Sequence, residues 1–392
     1  IQAMYFKIQG TYFKISALYF SPFQMAEKQQ YAKAVSTLLK IPYIGMLCKL
    51  IYRIFAHRNE TLQNRIESIM DRNAKPFVKW VGGKGQLIDQ LEALLPVDFD
   101  NWENVTYIEP FVGGGAMLFY MLQRHKNIKH AVINDINKDL ITCYRTVRDN
   151  VEVLIAELYK VQKQYYALKT MEEKREMFMA VRERYNEKNL EPIENTAIFI
   201  FLNRTCFNGL YRVNKKGLFN VPYGKYLHPL ICDEETLRVD SNLLKRVRIL
   251  EGDFERTLKY AQNRTLFYFD PPYRPLCDTS SFNDYTKESF NDDSQIRLKK
   301  FCDKVVSEGY SFMLSNSDCK GKNEDDNFLD MLYSDYCIDR VLASRNVNAN
   351  AAKRGKITEL LIHSYTKTKG CYMNTMAEQK SLYVAENEKA YA

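Results

Sequence analysis

The run Thr265-Leu-Phe-Tyr-Phe269 carries no charge and three aromatics, and it stops at Asp270-Pro271-Pro272-Tyr273. A short apolar run of this kind reads as a buried strand. The two prolines end it: each fixes φ at about −65° and has no N–H to give to a ladder. The turn therefore offers carbonyl acceptors and almost no backbone donors. Open α/β sheets place ligands at the carboxyl ends of central strands, which puts Asp270 and Tyr273 at such an end. A carboxylate and carbonyls beside an aromatic plate suit an exocyclic amine on a flat base. Asp-Pro and Pro-Pro are also ordinary turn punctuation, so the rest of the chain decides between the two readings.

Other stretches repeat the strand, turn, helix pattern. Val105–Pro110 reads as a strand running into Phe111-Val-Gly-Gly-Gly115, with a helix opening at Ala116–Leu122. Glycines at that turn allow the backbone to approach a nucleotide-like ligand. Asp135 follows Gly115 by twenty residues, at the end of the apolar run Ala131–Ile133, where an acidic side chain can accept ribose hydroxyls. Leu118 stands where the dinucleotide fingerprint requires its last glycine. That opposes a nicotinamide oxidoreductase and favours a ligand with adenosine but no pyrophosphate. Upstream, Phe77–Lys84 is a glycine loop bearing Lys79, Trp80 and Lys84, followed by a predicted helix with Leu87, Ile88, Leu91, Leu94 and Leu95 that ends at Pro96. Downstream come a strand at Val247–Leu250 ending in Gly252-Asp253-Phe254, a helix over Asp292–Ser307, and strands at Tyr310–Leu314 and Glu359–Ser364.

Between these pieces lies a different composition. Val151 to Asn189 reads as two Glu- and Lys-rich helices, with Leu154, Leu158 and Val161 on one packing stripe and Met177, Val181 and Tyr185 on another. From Asn195 to Cys232 there are five basic residues (Arg204, Arg212, Lys215, Lys216, Lys225) and no acidic one, interleaved with aromatics. Asn208-Gly209 and Lys216-Gly217 are turn signals that predict a hairpin. A solvated loop is the plain alternative, but the missing counter-charge favours a phosphate-facing surface. The formal net charge of +8 permits a polyanionic partner. Nine scattered cysteines without a Cys-x-x-Cys pair, and five histidines without ligand spacing, predict reduced thiols and no metal site.

The ends are less informative. Tyr5-Phe-Lys-Ile8 recurs as Tyr12-Phe-Lys-Ile15, and Glu27 to Arg72 turns helical and basic. Its longest uncharged run is well short of the roughly 20 residues a membrane span needs. Residues 1–69 are read as an extension, helical or poorly ordered, outside the working enzyme. A chain starting at Met70 is expected to keep fold and activity. Residues from Thr366 on read as a loose tail.

From Lys75 to about Ser364 the sequence resembles the Dam-type DNA adenine-N6 methyltransferases. Five stretches match in order: Lys79–Lys84, Glu109–Gly115, Asn134–Leu140, Asn203–Tyr226 and Asp270–Tyr273. The resemblance implies a Rossmann-like S-adenosylmethionine-dependent α/β sheet over 70–150 and 243–366. A mainly helical, hairpin-bearing target-recognition domain would be inserted at 151–242, and 367–392 would be a tail. S-adenosylmethionine would be held by Trp80, Lys84, Phe111, Gly113, Gly115, Asp135, Asp253, Phe254 and Asp270. Asp270, Pro271, Pro272 and Tyr273 would carry the chemistry on an adenine turned out of double-stranded DNA, at a cost of a few kcal/mol. The side chain of Asp270 and the carbonyl of Pro271 would accept the N6 hydrogens, while Tyr273 stacks on the ring. Lys79 and Arg212 would read guanines, and Leu210 and Pro222 would touch outer base pairs. Asn208 would fill the space left by the adenine, and Lys225 and Tyr226 would contact backbone and base. Those roles point to GATC. Lys225 and Leu227 stand where other members carry Arg and Lys, which predicts fewer phosphate contacts. The resemblance also implies a cytoplasmic monomer without a metal and leaves open a cognate restriction endonuclease. A cytosine-N4 or RNA adenine methyltransferase is disfavoured by Asp at 270 and by the insert; a non-catalytic DNA-binding relative is disfavoured by Lys84, Asp135 and Asp270.

Overall fold

The apolar run at Thr265–Phe269 becomes the middle strand of a seven-stranded sheet in the computed structural model. The structure describes residues 4–8, 11–15, 73–274, 290–321, 323–344 and 356–365. In chain order the elements begin with β1 (Met4–Ile8) and β2 (Thr11–Ile15), then α1 (Ile88–Glu92), β3 (Val105–Glu109), α2 (Ala116–Arg124) and β4 (Ile128–Asp135). Five helices follow: α3 (Lys138–Asp149), α4 (Val151–Ala167), α5 (Met171–Asn186), α6 (Pro192–Thr205) and α7 (Glu234–Leu244). The chain then runs through β5 (Val247–Glu251), β6 (Thr265–Phe269), α8 (Asp292–Ser307), β7 (Ser311–Ser317), α9 (Phe328–Leu332), β8 (Cys337–Ser344) and β9 (Lys356–His363).

The sheet order is β5-β4-β3-β6-β7-β9-β8. The first five strands are parallel, and β9 runs antiparallel to both β7 and β8. Strands β3 and β6 are buried along their whole length, as expected where helices cover both faces of a sheet. Alternation along the strands divides the core in two. Tyr107, Leu266, Tyr268 and Met313 pack with Leu118, Met121, Leu140 and Leu158 on one face. Ile108, Phe267, Phe269, Phe312 and Leu314 pack with Leu298, Phe301 and Leu329 on the other. The chain order reverses between β3 and β6, which is the switch point where such sheets open a ligand crevice.

Several expected elements appear with changed limits. The helix expected from Leu87 shortens to a 3-10 turn at Lys84–Gln86 and α1, because Leu94 and Leu95 serve the core from a turn. The stretch expected as a basic surface from Asn195 begins inside α6, whose Phe199, Ile200, Phe201 and Leu202 are buried. Arg204 on that helix donates to the Phe77 carbonyl at 2.8 Å, so it serves packing rather than a phosphate-facing surface. Helices α3, α6 and α7 and strand β8 are not among the expected elements: α6 is apolar nearly all round and sets no period, whereas α3 does repeat Leu140, Tyr144 and Val147 at helical spacing.

The residues up to Ser68 form a separate unit. Within it the aromatic near-repeat pairs with itself: β1 lies antiparallel to β2, with Phe6 opposite Phe13. The expected basic helical segment Glu27–Arg72, the polar stretch 275–289, the loop 345–355 between β8 and β9, and the C-terminal tail lie outside the described residues. Among the described residues no helix is long and apolar enough to cross a membrane.

Candidate active site

Four loops leave the carboxyl ends of β3, β4, β5 and β6, and Asn134 ties three of them together. Its side-chain amide donates to the carbonyls of Pro110 (3.0 Å) and Gly252 (2.8 Å), and its backbone carbonyl accepts from Val112 N–H (2.9 Å). The glycine turn after β3 is held from below. Gly113 donates its N–H to Asp135 Oδ2 at 3.1 Å, and Tyr144 donates its hydroxyl to the Gly113 carbonyl at 2.9 Å. Gly115 has φ +74°, and a Cβ there would lie 2.5 Å from the Tyr144 hydroxyl. A left-handed conformation and a close approach both require glycine at this position.

Asp135 also accepts from Asn137 N–H at 2.8 Å and remains partly exposed at the end of β4. Asp253 caps the turn after β5 through Glu255 N–H (3.0 Å) and pairs with Arg297 at 2.5 Å. The rings of Phe111 and Phe254 stand 5.2 Å apart, and Phe254 is buried. This set comprises a half-open carboxylate, two aromatic rings and a glycine turn. It fits an adenosine-bearing ligand.

Asp270 leaves β6 beside Lys84. The ammonium of Lys84 is 2.7 Å from Asp270 Oδ1 and 4.5 Å from the centre of the Tyr273 ring, and it donates to the Gly82 carbonyl at 3.0 Å. The side chain of Lys84 is only 5% exposed, against 24% for Asp270. Burial pushes the Asp270 carboxyl above its usual range, and Lys84 draws it partly back. Tyr273 donates to Glu359 at 2.7 Å, and Gln295 donates to the Pro272 carbonyl at 3.3 Å. These two contacts fix the turn to β9 and α8. Deeper on the same sheet face, Tyr107 donates to Glu109 at 2.6 Å, and burial pushes the Glu109 carboxyl up to about 8. Sequence reasoning missed Glu359, Gln295, Tyr144 and the Glu109–Tyr107 pair. Only Glu109 carried a signal, as a carboxylate in an otherwise apolar strand.

The expected cofactor residue Trp80 is built into a junction. It lies against Gly113 and Gly114, where added Cβ atoms would come within 2.9 and 3.0 Å of it, and it stacks on Tyr211 at 5.5 Å. Lys79 is locked by Asn203, which accepts from its N–H and donates to its carbonyl, each at 2.8 Å. The Lys79 ammonium lies 5.3 Å from the Tyr226 ring centre, and its stem covers Gly209. Lys79, Asn208, Leu210 and Tyr226 are thus brought to one neighbourhood. Asn208 and Lys225 are exposed with φ +55° and +58°, and Pro222 is exposed while its carbonyl accepts from Phe207 N–H. Arg212 is turned by Asn220, donating to its Oδ1 at 2.8 Å and its carbonyl at 3.3 Å. Bridges at Cys206–Tyr223 and Val213–Phe219 fold this segment back on itself.

Residues 80–347 match the family described as D12 class N6 adenine-specific DNA methyltransferase. The chain belongs to this family. It is 48% identical over 294 residues to the type II methyltransferase M.MjaIII of Methanocaldococcus jannaschii, covering 74% of this chain and 99% of that protein. It is 39% identical to the type II methyltransferase M1.LlaDCHI of Lactococcus lactis (75% and 96% covered) and 30% identical to the DNA adenine methylase of Vibrio cholerae (74% and 96%). The methyltransferase is therefore an adenine-specific DNA-modifying enzyme acting on N6, and its family implies S-adenosylmethionine as methyl donor.

Proposed function

We propose that this methyltransferase acts on an adenine turned out of double-stranded GATC, with Asp270 and the Pro271 carbonyl accepting the two N6 hydrogens. The observation that carries the reading is the Asp270 carboxylate at the end of the central strand, held 2.7 Å from an almost fully buried ammonium. An acceptor fixed in this way draws the amine hydrogens into the plane of its own lone pairs. The nitrogen lone pair then turns out of conjugation and toward a methyl electrophile. S-adenosylmethionine supplies that electrophile as a sulfonium methyl. Asp135 would hold its ribose, Phe111 with Phe254 and Asp253 would hold its adenine, and the Gly113–Gly115 turn would admit the rest. Tyr273 would stack on the extruded base. Holding the reactants in line can contribute as much as roughly 7–11 kcal/mol.

The segment 151–242 supplies the recognition domain in this reading. Lys79, Leu210, Arg212 and Pro222 read the outer base pairs, Asn208 occupies the space left by the adenine, and Lys225 and Tyr226 hold the strand beside it. The clustering of Lys79 with Gly209 and Tyr226 supports a shared surface. The enzyme would work as a cytoplasmic monomer, with a restriction endonuclease as cognate partner. Mapping N6-methyladenine in the genome of a host that lacks the modification, after expression of this chain, tests the sequence. Methylation outside GATC would overturn it.

A further inference from the structure

The methyltransferase carries a second basic groove far from Asp270. It runs along the edge strand β5 and has a volume of about 630 Å³. Arg148, Lys245, Arg246, Arg248 and Lys259 line it, and no Asp or Glu does. Arg148 is committed to Asp149, and Arg246 donates to the Leu122 carbonyl. Lys245, Arg248 and Lys259 are exposed and make no ion pair among the described residues. Arg248 and Lys259 both lie against the Tyr260 ring, 4.9 and 5.1 Å from its centre.

Two features decide what such a groove takes. Helix α7 and the 3-10 helix Phe254–Tyr260 end at Lys245 and Ala261, both in its lining. Helix carboxyl ends carry negative partial charge, so the groove lacks the converging N–H groups from which compact phosphate sites are built. Its attraction for anions rests on side-chain cations spread along a strand, the arrangement that tracks a linear polyphosphate. The second feature is position. Lys245, His130 and Gln262 lie before or near the amino ends of β5, β4 and β6, whereas Asp135 and Asp270 lie at carboxyl ends. Along β4 the separation from His130 to Asp135 is roughly 16 Å.

We propose that this groove is a second DNA-binding site, holding the phosphate backbone of a non-target duplex segment while the target adenine is engaged at Asp270. A segment held there keeps the enzyme on DNA between turnovers and favours transfer from one duplex to another.

The test uses the full chain saturated with a short unlabelled duplex carrying one target. A labelled short duplex without the target is then added and followed by anisotropy at several salt concentrations. The wild-type chain is expected to bind the second duplex. The triple substitution Lys245→Ala, Arg248→Ala, Lys259→Ala is expected to weaken that binding at least tenfold and to lower the log–log salt slope by up to about 2.7. Methylation of the short single-target duplex should not change, which separates this site from the catalytic reading. Lys259→Ala alone changes one exposed side chain and should lower the slope by about 0.9, so a poorly folded triple variant still leaves a decisive measurement. Failure of the wild-type chain to take a second duplex, or equal binding by the variants, overturns the proposal. Saturable calorimetric binding of a nucleoside triphosphate, without second-duplex binding, assigns the groove to a small anion and also overturns it.

Discussion

Lys84 places its ammonium 2.7 Å from Asp270 Oδ1 and 4.5 Å from the centre of the Tyr273 ring. Both groups are proposed contacts of the substrate adenine, Asp270 as an acceptor for its amine and Tyr273 as an aromatic face for its ring. Burial raises the Asp270 carboxyl, the Glu359 charge adds to it, and Lys84 is the group that opposes both. Lys84→Met should therefore move the acid limb of the single-turnover rate profile to higher pH. Asp270 must be ionised to accept its N6 hydrogen beside the one the Pro271 carbonyl takes, and its ionised fraction is lost as pH falls through the folded-state value. At neutral pH a loss of at least tenfold is expected, with partial recovery as pH rises. Asp270→Ala should abolish transfer and leave duplex binding intact. Near-normal transfer by Asp270→Ala would sink the mechanism.

Glu109 gives a prediction about stability. Its carboxyl is raised from 4.5 to about 8, chiefly by burial beneath the site. The protonated form is the one the fold accommodates, so the stabilising contribution is complete below about 4.5 and is lost as pH rises toward about 8. A tenfold change in a protonation equilibrium is worth about 1.36 kcal/mol, which puts the upper bound at roughly 5 kcal/mol. Glu109→Gln keeps an acceptor for Tyr107 without the charge. Its melting temperature relative to the wild-type chain should rise across that pH window. Parallel melting curves for the two proteins would show that Glu109 is already accommodated as a carboxylate.

Much of the sheet was legible because its strands are short apolar runs stopped by residues that cannot continue them. Phe269 ends at a double proline, and Glu109 ends at Pro110 before three glycines. The helix over Asp292–Ser307 is legible to the residue, because Asn291 caps it and an apolar stripe repeats at helical spacing. Helix α6 is hidden because it is buried nearly all round, so no polar face sets a period. The partners that fix the site are hidden for a different reason. Lys84 and Asp270 are 186 residues apart, and Tyr273 and Glu359 are 86 apart. Sheet order brings Tyr273 to Glu359, and the 3-10 turn Lys84–Gln86 brings Lys84 to Asp270.

Asp135 has two tasks, and both lie on the cofactor side of the site. Its carboxylate anchors the glycine turn through Gly113 N–H and the following loop through Asn137 N–H. A ribose would take further acceptor positions on the same oxygens. A hydrogen bond to a charged group contributes about 1.5–3 kcal/mol, so Asp135→Ala should weaken S-adenosylmethionine binding by tenfold to a hundredfold or more. Sequence preference should stay the same, because the base-reading side chains lie on another segment. Unaltered affinity in calorimetry would mean that the adenosine assignment of this turn is wrong.

Arg212 is turned by Asn220, which accepts from its Nε at 2.8 Å and from a terminal nitrogen at 3.3 Å. A guanidinium fixed along one edge has fewer orientations to lose when its other donors meet a guanine, and a bidentate contact discriminates by about 1–3 kcal/mol. Arg212→Ala should therefore relax preference at one guanine of the site more than it lowers overall affinity. Asn220→Ala should produce a smaller loss at the same base pair, because the contact survives without its brace. Lys215 and Lys216 sit exposed at the tip of the folded-back segment. Removing either should weaken all duplexes alike and lower the salt slope by about 0.9. Binding to duplexes substituted one base pair at a time distinguishes these outcomes. If Arg212→Ala lowers binding to every duplex equally, the side chain contacts phosphate, and the guanine must be read by another residue.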